Sequence, residues 1–152
     1  MWPAIVCAIV IVCIVVAYLL FHFLGNRSVK FEVARKTFFE RREWLEADFM
    51  KLGAQSGRPR GLEWSSGDFG TDVEFARDKK SKHVLAFVSV SLKFEAIEGG
   101  GMEDVAAVAN EKAATAVFSH DGKEWKATGK TVFNHSPSEA IQFYRNEIEA
   151  IS

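Results

Sequence analysis

His83-Val84-Leu85-Ala86-Phe87-Val88-Ser89-Val90-Ser91-Leu92-Lys93-Phe94-Glu95-Ala96-Ile97 is the stretch that decides the fold. From Val84 every second residue is apolar, through Ala86, Val88, Val90, Leu92 and Phe94 to Ala96. Ser89, Ser91, Lys93 and Glu95 fill the positions between. Side chains alternate across a strand, so this period of two predicts a long β-strand with one dry face and one wet face. Leu85 and Phe87 make its first part apolar on both faces.

Downstream, Gly99-Gly100-Gly101 ends the strand, and Met102–Asn110 reads as a short helix or an irregular crossing. Ala114–Ser119 is a second strand. Asp121-Gly122 marks a tight turn, and Glu124–Thr128 returns as the hairpin partner. Gly129 suggests a bulge before Thr131-Val132-Phe133. Ser136-Pro137-Ser138-Glu139 is a capping box with proline at the first helical position. Ile141, Tyr144, Ile148 and Ile151 then predict one apolar stripe of a C-terminal helix.

Upstream, Leu62-Glu63-Trp64 and Asp72–Ala76 read as two short strands. Ser66-Gly67-Asp68 and Gly70 serve as turn material between them, and Asp78–Lys82 forms a charged turn. Before these, Phe31, Phe38, Leu45 and Leu52 recur every seven residues with Ala34 and Phe49 on the same face, which predicts an amphipathic helix. Gly53 and the run from Ser56 to Gly61 end it. The expected fold is α+β: this helix, an antiparallel sheet of about five strands with the helices on one face, and a C-terminal helix. No βαβ alternation appears, which argues against a doubly wound nucleotide-binding fold.

The beginning of the chain differs in kind. Pro3–Leu24 carries no charge and is apolar on every side. As a helix it is about 33 Å long, enough for a hydrocarbon core of about 30 Å, so a single N-terminal transmembrane helix is expected. No basic n-region and no small-x-small site accompany it, so an uncleaved anchor is favoured over a signal peptide. Arg27, Lys30, Arg35, Lys36, Arg41 and Arg42 follow it, and no Lys or Arg precedes it. This asymmetry predicts a cell-membrane protein with its N-terminus outside and its soluble domain cytoplasmic. The same six cations are the expected membrane-surface contacts. Three regions result: an anchor over 1–26, a juxtamembrane helix over 27–57 and a soluble domain over 58–152.

The chain is 48% hydrophobic, yet outside the first 24 residues the share falls to about 40%, ordinary for a soluble domain. A net charge of −1 and the lack of any aromatic-basic motif give no case for nucleic acid. Both cysteines, Cys7 and Cys13, lie in the apolar run, so no disulfide scaffold is expected.

The candidate chemistry is sparse. Glu95, Glu98, Glu103 and Asp104 cluster around the three glycines, a set of oxygen ligands that suits a hard cation or another ligand. The competing expectation is that the glycines form a sharp backbone crossing, with Glu103 and Asp104 in the first turn of a helix. His120 precedes the Asp121-Gly122 turn and His135 precedes the helix cap; both are candidate ligand or acid–base residues. No histidine pair has metal-ligand spacing, so neither metal nor cofactor is expected. The aromatics Trp64, Phe75, Phe87, Phe94, Phe118, Trp125 and Phe133 all fall on strands, where core is the ordinary role.

An apolar N-terminal helix running into an amphipathic helix against a sheet resembles a type IV pilin or pseudopilin, although Pro3–Leu24 lacks the early glutamate of those families. A helix followed by antiparallel strands is similar to cystatin-like and nuclear-transport-factor-like rolls in element order alone. The leading expectation is an anchored α+β module that binds a partner or ligand and carries no catalysis of its own. Its partners would be the lipid bilayer and a protein met through the span or the juxtamembrane helix. The alternatives are a structural subunit of a membrane assembly or secretion apparatus, and an enzyme using a pocket in the curled sheet.

Overall fold

The computed structural model describes residues 1–56 and 61–152, apart from the side chains of Ala4, residues 22–29 and Ser56. Helix α1 spans Trp2–Glu40 and helix α2 spans Arg42–Ser56. Five strands follow: β1 Leu62–Asp78, β2 Val84–Ala96, β3 Lys112–His120, β4 Trp125–Phe133 and β5 Ile148–Ile151. A single 3-10 turn, Ala106–Ala109, lies between β2 and β3, and helix α3, Pro137–Phe143, lies between β4 and β5. The chain divides into two compact units, Met1–Lys36 and Thr37–Ser152.

In the first unit, the apolar side chains of α1 are exposed from Ile5 through Val10 and Ile14 to Phe21. The expected transmembrane helix is not found: among the described residues, no helix is long and apolar enough to cross a membrane. The described apolar run, from Ile5 to Phe21, covers about 26 Å of helix axis, short of the ~20 residues that a hydrocarbon core demands. The remainder of the expected span, at Ala4 and residues 22–24, lies outside the described side chains, as does the expected break at Gly25-Asn26. The interruption between the two helices comes instead at Arg41.

In the second unit the sheet is antiparallel throughout, with strand order β4-β3-β2-β1-β5. The strand anticipated at His83–Ile97 is β2, which lies at the centre of the order. Phe38 explains the curl of the sheet. Its ring lies 5.7 Å from Phe75 of β1, 5.7 Å from Phe118 of β3 and 5.0 Å from Trp125 of β4. Strands that are not neighbours therefore converge on one side chain. Phe49 of α2 extends this aromatic core to Trp64, Phe69 and Phe118, at 5.7 to 5.9 Å. Phe38 and Phe49 are fully buried.

Adjacent residues of a strand point to opposite faces. Val117 and Phe87 consequently belong to a second core, with Ala76, Val132, Ala140, Ile141 and Ile148. Helix α3 covers this face, so helices pack on both sides of the sheet rather than on one. Ser136 caps α3 through the anticipated box: its hydroxyl accepts from the Glu139 N–H, and Glu139 accepts from the Ser136 N–H at 2.8 Å.

Three expectations about elements need correction. Helix α2 continues through Gly53 to Ser56. The reason is local: a Cβ at Gly53 would sit 2.6 Å from the Trp64 ring, so this glycine admits a tryptophan instead of ending a helix. The two short strands upstream of β2 are one, β1, interrupted by register shifts between Trp64 and Ser66 and between Phe69 and Val73. Gly67, which read as a turn, lets the strand approach Met50, whose sulfur would lie 2.6 Å from an added Cβ. Finally, the C-terminal stripe is not one helix. Helix α3 stops at Phe143, and Ile148 and Ile151 lie on β5 opposite Asp78 and Phe75. Their β-branched side chains suit a pleated edge better than a helix.

Candidate binding sites

The first site is a groove beside α2. Its lining includes Arg41, Trp44, Asp48 and Leu52 from the helical side, and Trp125 and Lys126 from β4. Its volume is about 610 Å³. Leu45 and Phe49 point α2 into the core, so Trp44, one residue before Leu45, is turned outward and is 79% exposed. Trp44 thus presents a large aromatic surface at the lip of the groove. Trp125 is 4% exposed and forms part of the groove wall. Lys126 is neutralised by Asp121 at 3.2 Å and Glu124 at 3.1 Å. Leu52, expected on the buried heptad face, lies at the groove's edge and is 36% exposed.

A second cleft, of about 280 Å³, lies on the α3 face. Leu85, Phe87, Val117 and Ile148 supply its apolar part, and Asp78, His83, Ser119, Lys130, Tyr144 and Glu147 its polar part. His83 Nδ1 is 3.5 Å from the Ser119 hydroxyl. The Lys130 ammonium stands 4.1 Å from the centroid of the Tyr144 ring. Hydrogen bonds from the backbone of Ser81 hold the Asp78 carboxyl below the usual carboxylate range.

The interior of the curled sheet, where a roll-type enzyme keeps its pocket, is occupied by the rings of Phe38 and Phe49.

The residues singled out from the sequence do not converge. Glu95, on the wet face near the end of β2, accepts a hydrogen bond from Ser65 at 2.6 Å. His120 lies opposite Val84, at the other end of β2. Val84 and Glu95 are about 36 Å apart along a strand, so Glu95 and His120 belong to different ends of the sheet. Glu98 and Asp104 are exposed in the glycine crossing. Glu103 accepts from the Gly99 N–H at 2.5 Å, and backbone donors, its own first and that of Gly99 next, keep its carboxyl low. Among the described residues, no group of three His, Cys, Asp or Glu side chains is arranged to hold a metal ion.

The two histidines have local duties. His120 Nδ1 accepts from the Gly122 N–H at 3.1 Å, its ring lies 5.1 Å from Trp125, and desolvation lowers its pKa. His135 Nδ1 donates to the Phe133 carbonyl at 2.9 Å, and its ring stands 5.3 Å from Phe143.

The basic residues also divide. Arg27 lies outside the described side chains, and Lys30 is exposed. Arg35 pairs loosely with Glu32 at 3.9 Å, and Lys36 is exposed. Arg41 lines the α2 groove. Arg42 is committed to structure: it meets Glu46 at 2.6 Å and donates to the Gly70 carbonyl of β1.

Trp44, Asp48, His83, Ser119, Lys130 and Tyr144 were not expected as site residues from the sequence. A signal existed for Trp44, a tryptophan off the heptad face of an amphipathic helix. None existed for the second cleft, which sheet register and the α3–β5 link assemble. In comparisons with protein-family models, curated proteins and solved structures, the chain matches none.

Proposed function

We propose that the α+β unit is a binding module that engages a protein segment in the groove between α2 and β4. One observation carries this reading: Trp44 is 79% exposed at a groove whose wall is formed by the buried Leu45 and Trp125. Aromatic side chains of this kind are the usual anchors of protein interfaces. The rings of Phe38 and Phe49 fill the position that a roll-type pocket would take, which favours a module over an enzyme of that type. A photo-crosslinking residue placed at position 44 tests the proposal in cells. A discrete adduct from position 44, absent from position 149 on β5, is expected. Equal labelling from both positions, or no adduct from position 44, refutes it.

A second reading, a structural subunit of a larger assembly, is favoured by the exposed apolar run of α1. Such a helix favours an apolar surrounding, which partner helices supply. Purified chain that remains monomeric and dispersed in plain buffer would remove that reading.

A further inference from the structure

We propose that the cleft on the α3 face binds a short zwitterion of dipeptide size, with an apolar body between its charged ends. The order of the strands carries this inference. On the α3 face, Asp78 and Glu147 lie at the β1–β5 end, and Lys130 stands on β4. Between them lie Leu85 and Phe87 of β2 and Val117 of β3, an apolar floor flanked by His83 and Ser119. Opposite charges thus face each other across apolar surface. Neither end is consumed by the other: the ammonium of Lys130 rests on Tyr144, no ion pair joins it to Asp78 or Glu147 among the described residues, and Asp78 Oδ1 accepts from the Lys80 and Ser81 N–H groups of its own turn. The nearby ammonium of Lys79 is engaged with the Arg145 carbonyl at 2.7 Å.

A ligand that satisfies this arrangement needs a cation for the acidic end, an anion for Lys130 and apolar side chains for the floor. In a free α-amino acid both charges sit beside one carbon, whereas Lys130 and Asp78 stand on β4 and β1, three strand steps apart, which favours a longer body. A dipeptide with free termini separates them. The volume of about 280 Å³ lies at the small end of ligand sites and limits the occupant to about this size. The cleft is on the opposite face of the sheet from α2, so this inference is independent of the Trp44 groove.

Titration of the full-length chain with leucyl-leucine, followed by saturation-transfer NMR and calorimetry, is the test. Saturable binding is expected, with losses of about tenfold or more for the N-acetylated and for the C-amidated dipeptide, since each removes one charged end. Lys130→Gln is expected to weaken leucyl-leucine by a similar factor and to leave the amidated form unchanged, while Trp44→Ala leaves both unchanged. Absence of saturation at concentrations on the order of 10 mM overturns the proposal. Equal binding of the blocked and free dipeptides, or indifference to Lys130→Gln, overturns it as well.

Discussion

Gly100→Ala tests whether the three consecutive glycines are a backbone device. Gly100 lies against Gly61, and a Cβ there would meet the Gly61 Cα at 2.7 Å and the Ile97 carbonyl oxygen at 2.8 Å. Both neighbours are backbone, and the Ile97 N–H is itself bonded to the Gly61 carbonyl at 2.9 Å, so neither can swing aside as a side chain would. An intrusion about 0.6–0.7 Å inside ordinary contact, met only by backbone shifts, costs about 1–3 kcal/mol, as overpacking does. The alanine returns about 0.4–1 kcal/mol by restricting the unfolded chain. A net loss of about 1–2 kcal/mol is expected, a fall in Tm of roughly 3–8 °C. Gly99 provides the control. Its φ is +77° and nothing lies within 4 Å of an added Cβ, so Gly99→Asn, whose side chain tolerates left-handed backbone, is expected to cost under about 1 kcal/mol. Urea unfolding followed by tryptophan fluorescence and circular dichroism measures both variants. Wild-type stability in Gly100→Ala, or a larger loss in Gly99→Asn, would refute the backbone-contact reasoning.

Other perturbations address the remaining parts of the fold. Phe49→Ala empties a site in contact with Trp64, Phe69 and Phe118, and a loss of about 3–5 kcal/mol in chemical denaturation is expected. Ser136→Ala removes the α3 cap; about 1 kcal/mol should be lost, and amide exchange should accelerate in α3 before it does in β2. His120 has a folded-state pKa below 6.5, so the unfolded chain binds the proton more tightly. Stability should therefore decline as pH falls from about 6.5 towards the folded pKa, and His120→Gln should flatten that part of the profile. Asp78, Glu103, Asp121 and Glu139 are depressed and act in the opposite region: their contributions are complete above about pH 4.5 and lost as pH falls through their folded values. Asp121→Asn should remove part of this acid-side slope, read as Tm against pH.

What the sequence disclosed was periodic or local. The alternation from Val84 to Ala96, the Asp121-Gly122 turn and the Ser136–Glu139 box are each written within a few residues and each reappear in the structure. The misreadings share one cause. Gly53, Gly67 and Gly70 looked like punctuation, but their small size serves contacts with Trp64, Met50 and Ser89, which lie 11, 17 and 19 positions away. Ile148 and Ile151 fit a helical stripe by spacing, and only the presence of an open β1 edge makes them a strand. The candidate site fared worse for the same reason. Glu95 and His120 sit at opposite ends of the sheet, on β2 and β3, whereas Lys130, Tyr144 and His83 line one cleft only because β1 to β5 are ordered as they are.

β5 shields only part of β1. It pairs with Phe75–Asp78, and among the described residues the outer side of β1 from Leu62 to Glu74 has no strand beside it, although Arg42 engages the Gly70 carbonyl. A long bare margin of this kind is an invitation to another polypeptide to stack on and propagate. The two register shifts act as sentries there, because each breaks the flatness that a foreign strand would have to copy. Asp68, Asp72 and Glu74 add like charge along the same margin. The irregularity of β1 thus works against stacking by a foreign strand, and deleting a bulge residue is expected to speed aggregation, read as thioflavin fluorescence against time.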